Sequence, residues 1–354
     1  MDTARLRYFA ACNSERGFHS FYRDVFSEEL TNIYIIKGGP GTGKSSLMRR
    51  VADAAEPCGF CVEEIYCSSD PESLDGVIAR GEDRSFAVLD GTAPHVTEME
   101  LPGARDEIIS IGDFWSESRL REQRHEISSA LHARAKCYQR LYRYLQAAGQ
   151  CERNMESSVI GLIDFPRLEE DASDLLDRYP SGDTFSQKIM LLSSIGMRGL
   201  HRFSTWEEHS DVIYEVHDCG GVAYRLYDIL AEQARMRRMR VWISYDPLIP
   251  SHIDGICLPD CRLSFVTVGA NKGRRSERAR RISLKQYLNM DEYRAVSHEA
   301  EMAKKCRARM MNAALDTLQD IRTLHFSLEQ RYAAAMNFEA MTRYTDHWIE
   351  EILM

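Results

Sequence analysis

The sequence predicts an α/β protein in two similar halves, each a small parallel sheet with a helical hairpin appended. Two observations carry that prediction. A glycine-rich loop lies between a short apolar run and an amphipathic run near the N-terminus, and the pattern around it returns at a fixed offset later in the chain.

Residues 32–37, NIYIIK, read as a buried strand, because β-branched and aromatic residues fill them and a glycine cluster ends them. GGPGTGKSS follows at once, from Gly38 to Ser46, and then Leu47, Met48, Val51, Ala52 and Ala55 recur at helical spacing. Strand, glycine loop and helix in that order define a P-loop, so the expected cores are of the P-loop NTPase type. Gly38, Gly39, Gly41 and Gly43, with Pro40 and Thr42 between them, let the backbone turn successive N–H groups toward an anion. The helix N-terminus adds about half a positive charge at the same place. Lys44 is expected to reach the β and γ phosphates of ATP, and Ser45, beside Ser46, to ligate Mg2+.

CVEEIYCSSD, 61–70, reads as a second strand that ends in Ser68, Ser69 and Asp70. Open parallel sheets bind ligands beyond the carboxyl ends of their strands, so these residues are expected to face the γ-phosphate or a substrate, although polar residues after a strand are also common. SFAVLD, 85–90, is a third strand, and Asp90 at its end is the expected second anchor of the metal, held through water. Gly91 stands where many hydrolytic P-loop ATPases carry a Glu that activates water, so fast turnover is not implied. Of the nearby Thr92, His95 and Glu98, His95 is the candidate for orienting water or a hydroxyl, against the plainer reading of a structural His beside Pro94. The candidate catalytic set is therefore Lys44, Asp90 and His95.

Sliding the sequence by 179 residues aligns 32–91 with 211–270 without a gap, and eleven of the sixty pairs are identical, Gly41/Gly220, Leu47/Leu226 and Tyr66/Tyr245 among them. Ordinary composition predicts roughly four. The strand-like runs DVIYEV, VWISYD and SFVTV fall on the three strands of the first half. A shift of 182 pairs Gly17, His19 and Phe21 with Gly199, His201 and Phe203. In the second copy the loop reads HDCGGVAYR: Ala223 stands for Lys44, Tyr224 for Ser45, and Gly269 for Asp90. Only the first half is expected to bind ATP with magnesium.

Each copy ends in a long helix, from Ser116 to about Ala148 on a heptad-like seam of Leu120, Ile127, Leu131, Tyr138, Leu141 and Leu145, and from about Val296 to Tyr332. A shorter helix follows each, 165–176 and 338–349, at a shift of 173. The halves are expected at 1–180 and 187–354, hinged at DRYPSGD, 177–183.

A net charge of −9 argues against a chain that coats nucleic acid non-specifically, since its field repels phosphates. Basic runs at Arg235, Arg237, Arg238 and Arg240, and at Lys272, Arg274, Arg275, Arg278, Arg280 and Arg281, read first as solvated helix ends. They leave open a phosphate-bearing partner, nucleic acid included, or an arginine reaching across to the ATP. No apolar stretch approaches the roughly 18 residues of a membrane helix, and MDTARLRYFA does not resemble a signal peptide, so the expected location is cytoplasmic. The ten cysteines form no disulfide framework, and Cys58 and Cys61 read as a helix–strand turn before they read as half a zinc site shared with the distant Cys257 and Cys261.

RYFAACNSERGFHSFY, IIKGGPGTGKSSLM, YCSSDPESLDGV and LDGTAPH resemble an uncharacterised group of bacterial ATP-binding proteins built from two P-loop repeats. The resemblance implies ATP binding. It departs at the second loop, which that group usually keeps intact. The leading functional expectation is a slow ATPase whose nucleotide state shifts the helical hairpins or the other repeat, with the hairpins open to a protein partner. The alternatives are a phosphotransferase with Ser68, Asp70 or His95 facing an acceptor, and a nucleotide-sensing scaffold without meaningful turnover.

Overall fold

A computed structural model describes residues 5–26, 29–94, 96–268 and 279–354. The first half runs β1 (Leu6–Phe9), β2 (Ala11–Ser14), β3 (Gly17–Ser20), α1 (Tyr22–Val25), β4 (Asn32–Lys37), α2 (Lys44–Ala55), β5 (Cys61–Tyr66), β6 (Leu74–Arg80), β7 (Ser85–Asp90) and β8 (Asp106–Ser110), then α3 (Glu117–Glu122), α4 (Arg124–Val159) and α5 (Phe165–Leu176). The second half repeats the series as β9 (Ser186–Ile189), β10 (Ser193–Gly196), β11 (Gly199–Arg202), α6 (Thr205–His209), β12 (Val212–His217), α7 (Ala223–Met236), β13 (Arg240–Tyr245), β14 (Ile253–Leu258), β15 (Leu263–Thr267) and β16 (Ala279–Ser283), then α8 (Met290–Ala335) and α9 (Phe338–Leu353). Among the described residues two six-stranded sheets form, in the orders β1-β5-β6-β7-β4-β8 and β9-β13-β14-β15-β12-β16. Strand for strand these are the same sheet, as the internal offset leads one to expect.

The sheets are mixed, which corrects the expectation of parallel cores. β4 lies parallel to β7 and β8, but β6 runs antiparallel to both β5 and β7. In the second half β14 does the same between β13 and β15. The reason is connection length. A parallel neighbour needs a crossover of a dozen or more residues, and only residues 67–73 separate β5 from β6. LDGVIAR forms β6, buried along nearly its whole length, and the polar SSDPES before it, with no helix between, masks the strand in the sequence.

The long helices depart from the sequence reading in two ways. The first begins at Glu117, is interrupted at Gln123 and continues through Gly149 to Val159. Gly149 resembles a helix stop, yet a Cβ there would stand 2.0 Å from Glu15 Oε2, so the residue marks where the β2–β3 turn meets the helix. On the expected seam Ile127, Leu141 and Leu145 are buried, whereas Leu131 is exposed.

Each half lends its last helix to the other. Met341, Trp348, Ile349 and Ile352 of α9 share a core with Ile36, Leu47, Met48 and Val88 of the first half. Met155 and Val159 of α4, with Leu168, Ala172 and Leu176 of α5, lie in the core of the second sheet with Tyr227, Ile243 and Phe265. The appended helices therefore cover the opposite sheets, and 1–180 and 187–354 are interleaved in packing. By rise per residue α4 and α8 measure about 54 and 69 Å. They lie against one another through Leu141, Leu145, Ala314, Leu318 and Ile321.

The inner faces of the two sheets meet in a common core that includes Phe9, Ile35, Ile65 and Leu89 from one side and Leu191, Trp206, Ile213 and Val266 from the other. Phe9 and Leu191 exchange backbone hydrogen bonds of 2.8 and 3.1 Å at the seam. Nearby, Glu63, 4% exposed, accepts from Tyr8 Oη at 2.6 Å, Lys188 Nζ at 2.6 Å and Arg80 Nε at 3.1 Å. Burial alone would raise this carboxyl, but Lys188, Tyr8 and Arg80 outweigh it and hold it below the usual range. Lys188→Met is expected to cost about 3 kcal/mol by denaturant unfolding, because it strips a buried carboxylate of its partner from the other half. Adding Glu63→Met should recover most of that loss, and a double variant as unstable as the single one would refute the pairing as the cause.

Candidate functional site

The loop between β4 and α2 takes the shape its glycines permit. Gly41 and Gly43 have φ of 68° and 89°, the left-handed region, and Gly43 is the N-cap of α2. Lys44 Nζ donates to the carbonyls of Gly38 at 3.1 Å and Gly39 at 2.7 Å, and stands 3.5 Å from Asp90 Oδ2. The other Asp90 oxygen accepts from the Thr92 backbone N–H at 2.9 Å and hydroxyl at 2.6 Å, so the carboxylate is aimed. Ser45 Oγ accepts from the Leu74 N–H at 2.9 Å, and Thr42 Oγ1 donates to Gly39 O at 2.8 Å. Lys44, opening α2 after β4, is thus brought to Asp90 at the end of the adjacent parallel β7, while its neighbour Ser45 bonds the start of β6. His95 lies outside the described residues, as do Gly269, Lys272, Arg274, Arg275 and Arg278.

Gly91 has a steric reason for standing after Asp90. A Cβ at this position would lie 2.3 Å from Ile35 Cγ2, so any side chain here would force the buried Ile35 to shift. Lys37 Nζ bonds the carbonyls of Gly91 at 2.7 Å and Thr97 at 2.8 Å and pins the segment that follows.

The outer side of the loop is packed against the second half. A Cβ at Gly39 would stand 2.6 Å from the Tyr332 ring, and one at Gly41 only 2.5 Å from Glu329 O, both on α8. The glycines serve helix approach as well as loop curvature, and a motif alone does not reveal that second demand. Ser68, Ser69 and Asp70 also meet the second half. A Cβ at Gly196 would lie 2.7 Å from Ser68 O, Met197 N–H donates to Ser69 O at 2.7 Å, and Arg198 Nε donates to Asp70 Oδ1 at 3.2 Å. Among the described residues Arg198 is an arginine that crosses to the carboxyl end of β5. It sits alone in the β10–β11 turn, with no basic run to draw notice. Of the runs that did, Arg235, Arg237 and Arg240 pair with Glu232, Asp177 and Asp260 near the end of α7.

The equivalent loop of the second half carries its own acceptor. Asp218, in the place of Gly39, folds its carboxylate onto the N-terminus of α7. It accepts from the N–H groups of Gly221 at 2.7 Å, Val222 at 2.9 Å and Ala223 at 2.9 Å. These correspond to the N–H groups of Thr42, Gly43 and Lys44. A helix start with oriented amides favours acceptor oxygens, and here the chain supplies them, although burial still lifts this carboxyl above its usual range. Tyr224, in the place of Ser45, stacks on His252 at 3.9 Å and donates to Glu156.

Magnesium favours hard oxygen ligands and keeps several waters. The Ser45 hydroxyl and Asp90 carboxylate are donors of that kind, so the residues fit the ion. No cluster of three or more His, Cys, Asp or Glu side chains suited to a protein-only metal cage occurs among the described residues. The ten cysteines are free thiols, with Cys58 and Cys61 exposed and Gly59 turning between them at φ 87°. Among the described residues no helix is long and apolar enough to cross a membrane. No protein-family model, curated protein or solved structure matches the chain.

Around the second loop Glu152 is pushed up to about 7, by burial and then by Asp246 and Asp218, against the pull of Arg307. Asp254 moves in the same direction, through burial and Asp246. Folded pKa values above the unfolded ones mean that the native state holds the extra protons. Stability from these groups is complete below roughly pH 4 and is lost as pH rises toward 7. The melting temperature is therefore expected to climb on acidification from about pH 7.5 to 5.5, and Glu152→Gln should flatten the climb. An identical slope in the variant, by scanning fluorimetry, would remove Glu152 from the explanation.

Proposed function

We propose that the chain binds one ATP with magnesium at residues 38–46 and turns it over slowly, using nucleotide state to shift the long helices or a protein partner resting on them. The observation that carries this reading is the approach of Lys44 to Asp90, 3.5 Å apart, at the glycine loop that opens α2. In it, the amides of the loop cradle the phosphates, Lys44 leaves its two loop carbonyls to meet the β and γ oxygens, and Ser45 and Asp90 hold the metal. The ion supplies charge neutralisation along the phosphates.

Gly91 in place of a carboxylate after Asp90, at a position where a Cβ would crowd Ile35, supports slow turnover, and it keeps a nucleotide sensor without turnover as the second reading. The close approach of Gly39 and Gly41 to α8 supports a mechanical output, because a loop that tightens around phosphates acts directly on Tyr332 and Glu329. The likeness to two-repeat ATP-binding proteins points the same way, and with it a cytoplasmic location.

Lys44→Ala is expected to weaken binding of a fluorescent ATP analogue by about tenfold or more with the fold preserved, since a charge-assisted contact is lost. Near-normal affinity in a folded variant would sink the assignment. Asp90→Asn should reduce the magnesium dependence of binding and abolish turnover, and unchanged phosphate release would move that role to another carboxylate. Calorimetry with a non-hydrolysable analogue and magnesium should give one site per chain, because Asp218 already occupies the second loop and Ala223 replaces its lysine. A stoichiometry near two would overturn that.

A further inference from the structure

Beside the loop lies a cavity of about 570 Å³ lined by Phe114, Trp115, Arg119, Asn337, Phe338 and Ala340. Its walls are continuous with the P-loop. Phe338 and Met341 stand against Gly43, where an added Cβ would find Phe338 Cε1 at 3.5 Å and Met341 Cε at 3.0 Å. The turn that carries Phe114 begins at Ile111, whose Cβ would lie 3.4 Å from one added at Gly38. One wall comes from the first half and the other from the start of α9, joined by the bond from Asn337 N–H to Phe114 O at 2.8 Å.

The same place in the second half is closed by the chain itself. At the offsets of 179 and 173, Phe114 corresponds to Tyr287, Phe338 to Phe165, Ser46 to Arg225 and Ala340 to Arg167. The Arg225 guanidinium lies over the Phe165 ring at 5.3 Å, and that of Arg167 over the Tyr287 ring at 5.5 Å. Planar cations thus cover both aromatic faces in the half whose phosphate loop is filled by Asp218. Where the loop keeps its lysine, the two arginines are replaced by Ser46 and Ala340, and among the described residues no guanidinium lies over Phe114 or Phe338, although the Tyr344 ring packs beside Phe114 at 5.4 Å.

We infer that this cavity receives the aromatic base of the bound nucleotide, stacked on Phe338 or Phe114 with Asn337 and Arg119 at its edge; the inference rests on the triphosphate occupying the loop. A flat π system meets a ring face as a guanidinium does. The second half therefore carries internal substitutes for both ends of the ligand, a carboxylate for the phosphates and guanidinium planes for the base.

The test separates the two ends. Binding of ATP and of inorganic tripolyphosphate, each with magnesium, is measured by calorimetry on the parent chain, on Ala340→Arg, which copies Arg167, and on Phe338→Ala, with circular dichroism to verify the fold. Both variants are expected to weaken ATP by about tenfold or more while leaving tripolyphosphate within about twofold of the parent. Unchanged ATP affinity in both would overturn the inference, and so would parallel loss of both ligands, which would mean that the cavity acts only through the loop. If the parent binds tripolyphosphate but gains nothing from the base, the loop assignment survives and this inference falls. A parent that binds neither ligand removes the P-loop reading and this one with it.

Discussion

The outer face of each six-stranded sheet is wider than the one amphipathic helix its own half lays across it, and the remaining apolar surface must be hidden from water. Trp348, Ile349 and Ile352 of α9 do this for the first sheet, and Leu168, Ala172 and Leu176 of α5 for the second. Because each covering helix belongs to the opposite half, α4 and α8 have to carry the chain from one sheet to the other. Their course in turn brings α8 over one glycine loop and α4 over the other. The closeness of the loop to Glu329 and Tyr332, the paired long helices and the cavity at the start of α9 all follow from that exchange.

Much of this was legible in the residues. The strands at 32–37, 61–66 and 85–90 and the helices at 44–55 and 165–176 stand where apolar spacing puts them, and the offsets of 179, 182 and 173 correspond to equivalent strands, hairpins and terminal helices. What stayed hidden depends on partners distant in sequence. β6 is a strand because β5 and β7 flank it, Gly149 lies mid-helix because Glu15 approaches it, and the exchange of α5 and α9 leaves no local mark. At the site the motif positions and Asp90 could be read directly. Arg198 and the aromatic wall of Phe114 and Phe338 could not, since each belongs to an element assembled across the two halves.

The two loops show one backbone arrangement with opposite electrostatic endings. In the first, a lysine bonds two loop carbonyls; in the second, a carboxylate receives three amides. Both arrangements hold the start of the following helix, but only the first keeps a cation for an incoming anion to meet. In the second half the amides of the loop are thus satisfied by the chain's own carboxyl group.

The exchange also bears on how the chain is made. Arg50, at the exposed side of α2, donates to Thr345 across 295 positions of sequence at 2.8 Å. At roughly 5–20 residues per second, synthesis separates the two by about 15–60 s. Until α9 emerges, the first sheet has an uncovered flank and its glycine loop lacks the helix that braces it. A ribosome that stalls before that point releases a polypeptide with bare apolar surface, prey for chaperones and proteases, and the same late element that completes the core withholds a fully packed glycine loop from truncated products.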